Sequence, residues 1–267
     1  MQNNFFPERY NSLVIHTPHA GTLLPLHKCN HPRPRWSLRN AIKPYYRLLT
    51  DHYTDKLFAA DIWLSSRQFR CWTLYRSVQQ VSFPYSRLFC DVERLLDDPL
   101  EKNGLGICYD VNRWIKDQAW TMTKEQAMEL YKEHHQRLDL ALDFRVYGYT
   151  SLLLDCHSFS EQDNVLCPNA HEYKEIDICI GFNEDTTKPS QETLDLVAKF
   201  FQNRRYCISF NTPFSNSKTV DTAHPYHSLM IEVNKHCYMN EDTLEITAGY
   251  YKLHAELQEL YKLLLDN

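Results

Sequence analysis

Polar and apolar positions follow two periods along this chain, and the switches between them mark out its elements. Thr150-Ser151-Leu152-Leu153-Leu154-Asp155-Cys156-His157-Ser158-Phe159 is an apolar run that gives way to Asp-x-His-Ser. It predicts a buried strand with a polar cluster at its end. Ser12 to Thr17 is a second β-rich run, and it breaks into Pro18-His19-Ala20-Gly21, turn chemistry directly after a strand. Ile176 to Phe182, Tyr206 to Phe210 and Leu229 to Val233 predict three more strands. Shorter strand-like pieces lie at Trp72 to Tyr75 and Leu88 to Cys90, with Pro84-Tyr85-Ser86-Arg87 as a turn between them.

Helical spacing appears at Tyr46, Leu49, Tyr53 and Leu57, predicting a helix from about Lys43 to Ala60 on which Asp51 and Asp55 share a face. Thr123-Lys124-Glu125-Gln126 has the form of a capping box, and Leu130, His134, Leu138, Leu142 and Val146 make the inner stripe of the helix that follows. Ser190 opens a helix to about Asn203, and Asn240 is expected to cap a last one reaching about Leu265. Residues 25 to 40, rich in Pro and basic side chains, predict an irregular excursion, and the Gly-containing stretch from Leu100 to Asp110 predicts a covering loop with a function. Strands alternating with helices over 267 residues predict one α/β domain, residues 1–267.

Composition removes several function classes. Hydrophobic residues at 43% and charged residues at 24% are globular values, so neither disorder nor a fibrous repeat is indicated. A net charge of -5 argues against nucleic-acid binding, which needs clustered Lys and Arg. Only 6 Gly and no Gly-rich phosphate motif argue against nucleotide binding. The 9 Cys form no C-x-x-C pair and read as reduced, buried residues of a cytoplasmic protein. Met1 to Arg9 lacks the pattern of a signal peptide and no run has membrane-spanning length, so no membrane partner is expected.

The chemistry gathers at strand ends, where open α/β sheets place their ligands: His19, His157 and Asn211 follow three of the predicted strands. Imidazole nitrogen and carboxylate oxygen are what a hydrolytic zinc accepts, with three protein ligands and one position left for water. His19, His157 and a carboxylate of the 51 to 55 helix meet that requirement, although a lone His after a strand is more often a hydrogen-bonded loop residue. His134 and His135 suit core packing or a place behind a ligand. Glu232 interrupts the apolar run Leu229-Met230-Ile231-Glu232-Val233, and a carboxylate buried there is either paired or used as a base. Asp155 is expected on the opposite face of its strand end. In Ser86-Arg87-Leu88-Phe89-Cys90-Asp91-Val92-Glu93-Arg94, an extended backbone would put Arg87, Asp91 and Glu93 on one face, and the two Arg converge only if the strand ends before Arg94. Such Arg forks bind carboxylates, or else form a surface network.

As an ordered set, these motifs resemble the N-formylglutamate amidohydrolase family. The resemblance runs through Pro18-His19-Ala20-Gly21-Thr22, Asp51-x-x-x-Asp55-x-Leu57, Ser86-Arg87-x-x-x-Asp91-x-Glu93-Arg94, Asp155-x-His157-Ser158-Phe159, Asp177-Ile178-Cys179-Ile180-Gly181, Asn211-x-Pro213-Phe214-Ser215 and Met230-Ile231-Glu232-Val233-Asn234. It implies a zinc-carboxypeptidase-like fold, a mixed and mostly parallel sheet flanked by helices. It further implies hydrolysis of N-formyl-L-glutamate to formate and glutamate, a step in histidine degradation. By the same resemblance one Zn²⁺ is held by His19, His157 and Asp51, with Asp55 as the alternative to Asp51. Glu232 takes the position of the general base, Arg87 and Arg94 those of residues that hold or polarise a small acidic N-acyl substrate, and Asn211 and Ser215 those of further substrate contacts. The chain departs from the family where Tyr-Ser-Gly is usual, reading Phe214-Ser215-Asn216, and where many members have Asn-Arg it has Glu93-Arg94. Both departures touch specificity more than hydrolysis. The rival readings are a carboxypeptidase-like amidase for another N-acyl amino acid or a cell-wall peptide, and a silent binding protein of the same fold.

Overall fold

The structure, a computed structural model, describes residues 10–25, 43–61, 77–110, 113, 123–143, 150–216 and 225–266. Its main sheet is built from β1 (Tyr10–Thr17), β2 (Ser77–Ser82), β3 (Thr150–Phe159), β4 (Ile178–Gly181), β5 (Ile208–Phe210) and β6 (Tyr226–Asn234). The order across the sheet is β2-β1-β3-β6-β4-β5, and every pairing is parallel except that of β4 with β6. With helices on both sides this is the mixed, mostly parallel α/β architecture that was expected. The triple-Leu run lies at the centre because both faces of β3 are covered, as its continuous apolar pattern requires.

The helical segments are α1 (43–49), α2 (Thr54–Leu57), α3 (Lys124–Leu142), α4 (Gln191–Gln202) and α5 (Ala248–Asp266). Side-chain alternation gives the two faces of the sheet different jobs. On one face Leu13, Ile15, Leu152, Leu154, Cys156, Leu229, Ile231 and Val233 join the leucines of α4 and α5 in one apolar cluster. On the other, Val14, Val81 and Leu153 pack under Leu138, Ala141 and Leu142 of α3, and further along the same face carries His16, Asp155, His157 and Glu232. The apolar side supplies the burial that holds the sheet, so the second face is free to be polar.

Local chemistry sets several element ends as read from the sequence. The Thr123 hydroxyl accepts the Gln126 N–H while the Gln126 side chain accepts the Thr123 N–H, completing the capping box of α3. Ser190 caps α4. Three expectations are corrected. The helix from Lys43 to Ala60 breaks at Thr50 to Tyr53, where Tyr53 takes a positive φ of 67°, so Asp51 sits in the break and does not share a helical face with Asp55. Leu88 to Cys90 forms turns instead of a strand. Asn240 caps no helix: its side chain accepts the N–H groups of Asp242 and Thr243 in the turn between β7 (Met239–Asn240) and β8 (Glu245–Ile246), and α5 starts eight residues later. The proposed strand at 72 to 75, the excursion from residue 26 onward and Val146 lie outside the described residues. No described helix is long and apolar enough to cross a membrane, and the described cysteines form no disulfide.

The segment after β1 is threaded tightly against the one after β2. Phe83 N–H donates to Thr17 O, Leu23 N–H to Pro84 O and Ser86 N–H to Leu23 O. A side chain at Gly21 would stand 2.4 Å from the carbonyl oxygens of Phe83 and Tyr85, so only glycine lets these chains approach. Gly21→Ala should cost about 1–3 kcal/mol, as overpacking does. A urea unfolding midpoint unchanged from that of the parent protein would refute this.

Candidate active site and metal centre

Register places the two most informative residues side by side. His157 pairs with Glu232 across the parallel ladder of β3 and β6, both on the polar face. β3 does not stop at the polar cluster but runs on to Phe159, so His157 is held by strand hydrogen bonds and not by a loop. Asp155, two residues earlier, shares this face, correcting the expectation that it would lie opposite. Its Oδ1 is 3.1 Å from His157 Nε2 and 2.7 Å from His16 Nδ1, and His16 Nε2 is 2.8 Å from His134 Nε2. His134 thus stands behind the site through His16.

His19 enters from the turn after β1. Its carbonyl accepts the N–H of Asp51 at 3.1 Å, which brings the helix break beside it. Three atoms then converge: His19 Nδ1 and His157 Nδ1 are 3.2 Å apart, and Asp51 Oδ2 is 3.7 Å from the first and 3.3 Å from the second. Two imidazole nitrogens facing each other at that distance repel unless a proton or a cation lies between them. A tetrahedral zinc with bonds of about 2.0–2.1 Å separates its ligand atoms by about 3.4 Å, and this triangle fits. Burial alone would raise the Asp51 pKa, but His157 and His19 hold it well below the usual carboxylate range. Asp55 does not reach the site. It is half-buried on α2, and its charge acts on Tyr250 of α5.

The Nε2 side of both rings faces carboxylates. His19 Nε2 is 2.8 Å from Asp91 Oδ1 and 3.6 Å from Glu93 Oε2, and His157 Nε2 is 3.0 Å from Glu93 Oε1. Glu93 is the residue that sequence reasoning missed as a possible ligand: His19, Glu93 and His157 each offer an atom within 4.8 Å of the others and could hold a metal ion. Its place two residues after Asp91 was the available signal. Burial opposes ionisation of both carboxylates, yet Arg87 and His19 keep Asp91, and His157 keeps Glu93, below their ordinary pKa.

Asp91, fully buried, collects the rest of the segment. Arg87 donates to it from Nη2 at 2.7 Å and Nε at 3.3 Å, Tyr109 donates its hydroxyl, and Arg94 Nε lies 3.4 Å away. The turns at 87–89 and 92–93 bring Arg87 and Arg94 to one carboxylate, the convergence an extended segment would have forbidden. Both arginines line a cavity of about 240 Å³ together with His19, Asp51, His157 and Glu232. Glu232 Oε2 has no hydrogen-bond partner among the described residues. Burial pushes its pKa up to about 8, with Asp51 and Glu93 adding to the rise and His157 and Arg87 opposing it.

The remaining candidates separate. Ser215 and Phe214 line the cavity, as do Leu100 and Leu105 of the expected covering loop. Asn211 does not. Because β4 runs antiparallel to β6, and β5 follows β4, the carboxyl end of β5 points away from the His157 end of the sheet. The Asn211 side chain is spent on the N–H of Phe182.

The family profile described as N-formylglutamate amidohydrolase matches residues 11–239. The chain belongs to this family. Every convergent residue above lies inside that match. A crystal structure of N-formylglutamate amidohydrolase from Ralstonia eutropha JMP134 is similar in fold, with a TM-score of 0.67 over 98% of this chain and 94% of that one at 22% identity. No curated protein matches significantly in sequence. Membership of the family marks the chain as an amide hydrolase.

Asp91→Asn keeps the shape but leaves Arg87 and Arg94 without their counter-charge, and breaking a buried pair in this way should cost about 3–5 kcal/mol at neutral pH. The folded pKa of Asp91 is depressed, so its contribution is complete above the unfolded value of about 4 and declines as pH falls below it. The gap between parent and variant in urea unfolding should therefore narrow below about pH 4; a gap constant from pH 7 to pH 3 would exclude the assigned pairing.

Proposed function

We propose that the chain hydrolyses the amide bond of a small N-acyl amino acid, N-formyl-L-glutamate foremost, to formate and L-glutamate, using one zinc ion held by His19, Asp51 and His157. The observation that carries this reading is the triangle of two imidazole Nδ1 atoms and a carboxylate oxygen, 3.2 to 3.7 Å apart, beside a carboxylate with an unpartnered oxygen. The set with Asp51 is preferred to the one with Glu93 because Nε2 of His19 is hydrogen-bonded to Asp91 and Nε2 of His157 lies between the carboxylates of Glu93 and Asp155, while both Nδ1 atoms face Asp51. A carboxylate that takes the outer N–H of a histidine leaves the other nitrogen to the metal and orients the ring.

A zinc ion in this place supplies, when bound, a Lewis acid that acidifies water and polarises an acyl oxygen. Glu232 takes the proton of the attacking water and returns it to the amine nitrogen as the C–N bond breaks. Its burial makes it a stronger base than an exposed carboxylate. Arg87, fixed by Asp91, turns its remaining N–H groups to the acyl oxygen as negative charge grows there. Arg94 and the Ser215 hydroxyl hold the amino-acid carboxylate. A second reading, hydrolysis of a bulkier or more apolar N-acyl amino acid, is favoured by Leu48, Val165, Leu166 and Phe214 on the cavity wall.

Turnover of N-formyl-L-glutamate, abolished by a chelator and restored by zinc, is expected, and a panel of N-formyl, N-acetyl and N-succinyl amino acids decides between the two readings. Failure of the zinc-loaded protein to cleave any of them would overturn both. Glu232→Gln should bind zinc with the stoichiometry of the parent yet lose about 10²–10⁴-fold in kcat, the span of general-base catalysis. Near-parental turnover would dismiss Glu232 as the base.

A further inference from the structure

A second set of metal-ligating side chains lies where β4 begins and β6 ends, and none of the three lines the cavity. Asp177 precedes β4, and His236 and Cys237 belong to a short 3-10 helix, Lys235–Cys237, that follows β6. His236 Nε2 is 2.8 Å from Asp177 Oδ1, the Cys237 thiol lies 3.5 Å from the same oxygen, and all three atoms fall within 4.8 Å of one another. The other ring nitrogen of His236, Nδ1, is 2.5 Å from Glu161 Oε1. A histidine steered by one carboxylate toward a second carboxylate and a thiol is the arrangement of metal ligands with an orienting neighbour.

The backbone holds these groups rigidly. Asn234 donates from its N–H to Asp177 O and from its side chain to Ile176 O, and its Oδ1 accepts the N–H of His236. Cys207 donates its N–H to Asp177 Oδ2, fixing the carboxylate so that Oδ1 faces the thiol. In a tetrahedral zinc site a carboxylate oxygen and a thiolate sulfur stand about 3.6 Å apart, given bonds of about 2.1 and 2.3 Å. The oxygen-sulfur distance already matches, and the histidine contact would open by about 0.6 Å to reach the usual separation.

We propose that Asp177, His236 and Cys237 form a second, structural binding site for a zinc-like transition metal, with Glu161 as the residue that positions His236. Nitrogen, oxygen and sulfur donors in one set select borderline metals such as zinc and cobalt over calcium or magnesium. Burial and Asp177 raise the Cys237 thiol pKa in the bare site, and a bound cation reverses that by favouring the thiolate. The site would tie the wall of the cavity to the sheet. Glu161 follows Ser160 in the segment that lines the cavity with Asn164 and Val165, and its link to His236 reaches the 3-10 helix that directly follows β6. A metal there clamps that wall without touching substrate.

Cobalt(II) titration of the full-length protein separates the two sites, because the His19, Asp51 and His157 set contains no sulfur. The parent should bind two equivalents and develop a thiolate-to-cobalt charge-transfer band in the near ultraviolet. Cys237→Ser should bind one equivalent and lose the band while its melting temperature without metal stays close to that of the parent. His236→Gln should weaken the band's apparent affinity at least tenfold with the thiol still in place. One equivalent and no band in the parent would overturn the proposal and leave His236 as a bridge between two carboxylates. A band that survives Cys237→Ser, which would put the sulfur ligand elsewhere, for instance at Cys167 on the cavity wall, would overturn it as well.

Discussion

The geometry of the site depends on the burial of one carboxylate. Asp91 has no exposure, and its two oxygens serve Arg87, Arg94, Tyr109 and His19 together. An ionised carboxylate in such a place is stable only with this many partners, so the partners are fixed by its requirement for them. Through His19 the demand sets which ring nitrogen faces Asp51. Through the two arginines it sets the cationic edge of the cavity. The triangle of His19, Asp51 and His157 and the two arginines are therefore parts of one hydrogen-bonded unit, and a change at Asp91 reaches both.

That unit can exist because the sheet divides its tasks. One face is given wholly to aliphatic packing against α4 and α5, and it provides the hydrophobic stabilisation that a polar interior consumes. The other packs Val14 and Leu153 under α3 and gathers its ionisable groups toward the carboxyl ends of β1, β3 and β6. His16, His134, Asp155, His157 and Glu232 are all buried there, and the chain between residues 83 and 110 closes over them. A site with so many ionisable groups is tolerated because Asp51, Asp91, Glu93 and Asp155 each lie against an imidazole or a guanidinium.

Much of this was legible in the sequence where local rules govern. The Leu run of β3, the capping box of α3, the Ser190 cap and the buried break at Glu232 are written in short-range patterns. His19 and His157 showed as strand-end residues, but only the order of motifs along the chain joined them. Failures came where tertiary contacts override periodicity. The spacing of Tyr46, Leu49, Tyr53 and Leu57 is helical, yet the hydrogen bond from Asp51 to His19 falls inside a break that no period reveals. Asn211 was misplaced because strand direction is not visible in a sequence: its run has the look of a parallel strand, and the antiparallel pairing of β4 with β6 turned it round. Glu93 was overlooked as a ligand candidate because its partners lie about 60 to 75 residues away on other elements.

The pairing of His157 with Glu232 has a meaning for how the protein can vary. These two residues meet by backbone register between β3 and β6, with alternation placing both on one side. A slip of a single residue in that ladder would send one of them to the aliphatic face, so no gradual displacement connects the working arrangement to a neighbouring one. The walls of the cavity are built differently, from turns and connecting segments that can change length and side chains without altering any strand. Such a molecule is free to drift in what its cavity accepts while the spacing between Glu232 and His157 stays quantised by the pleat of the sheet.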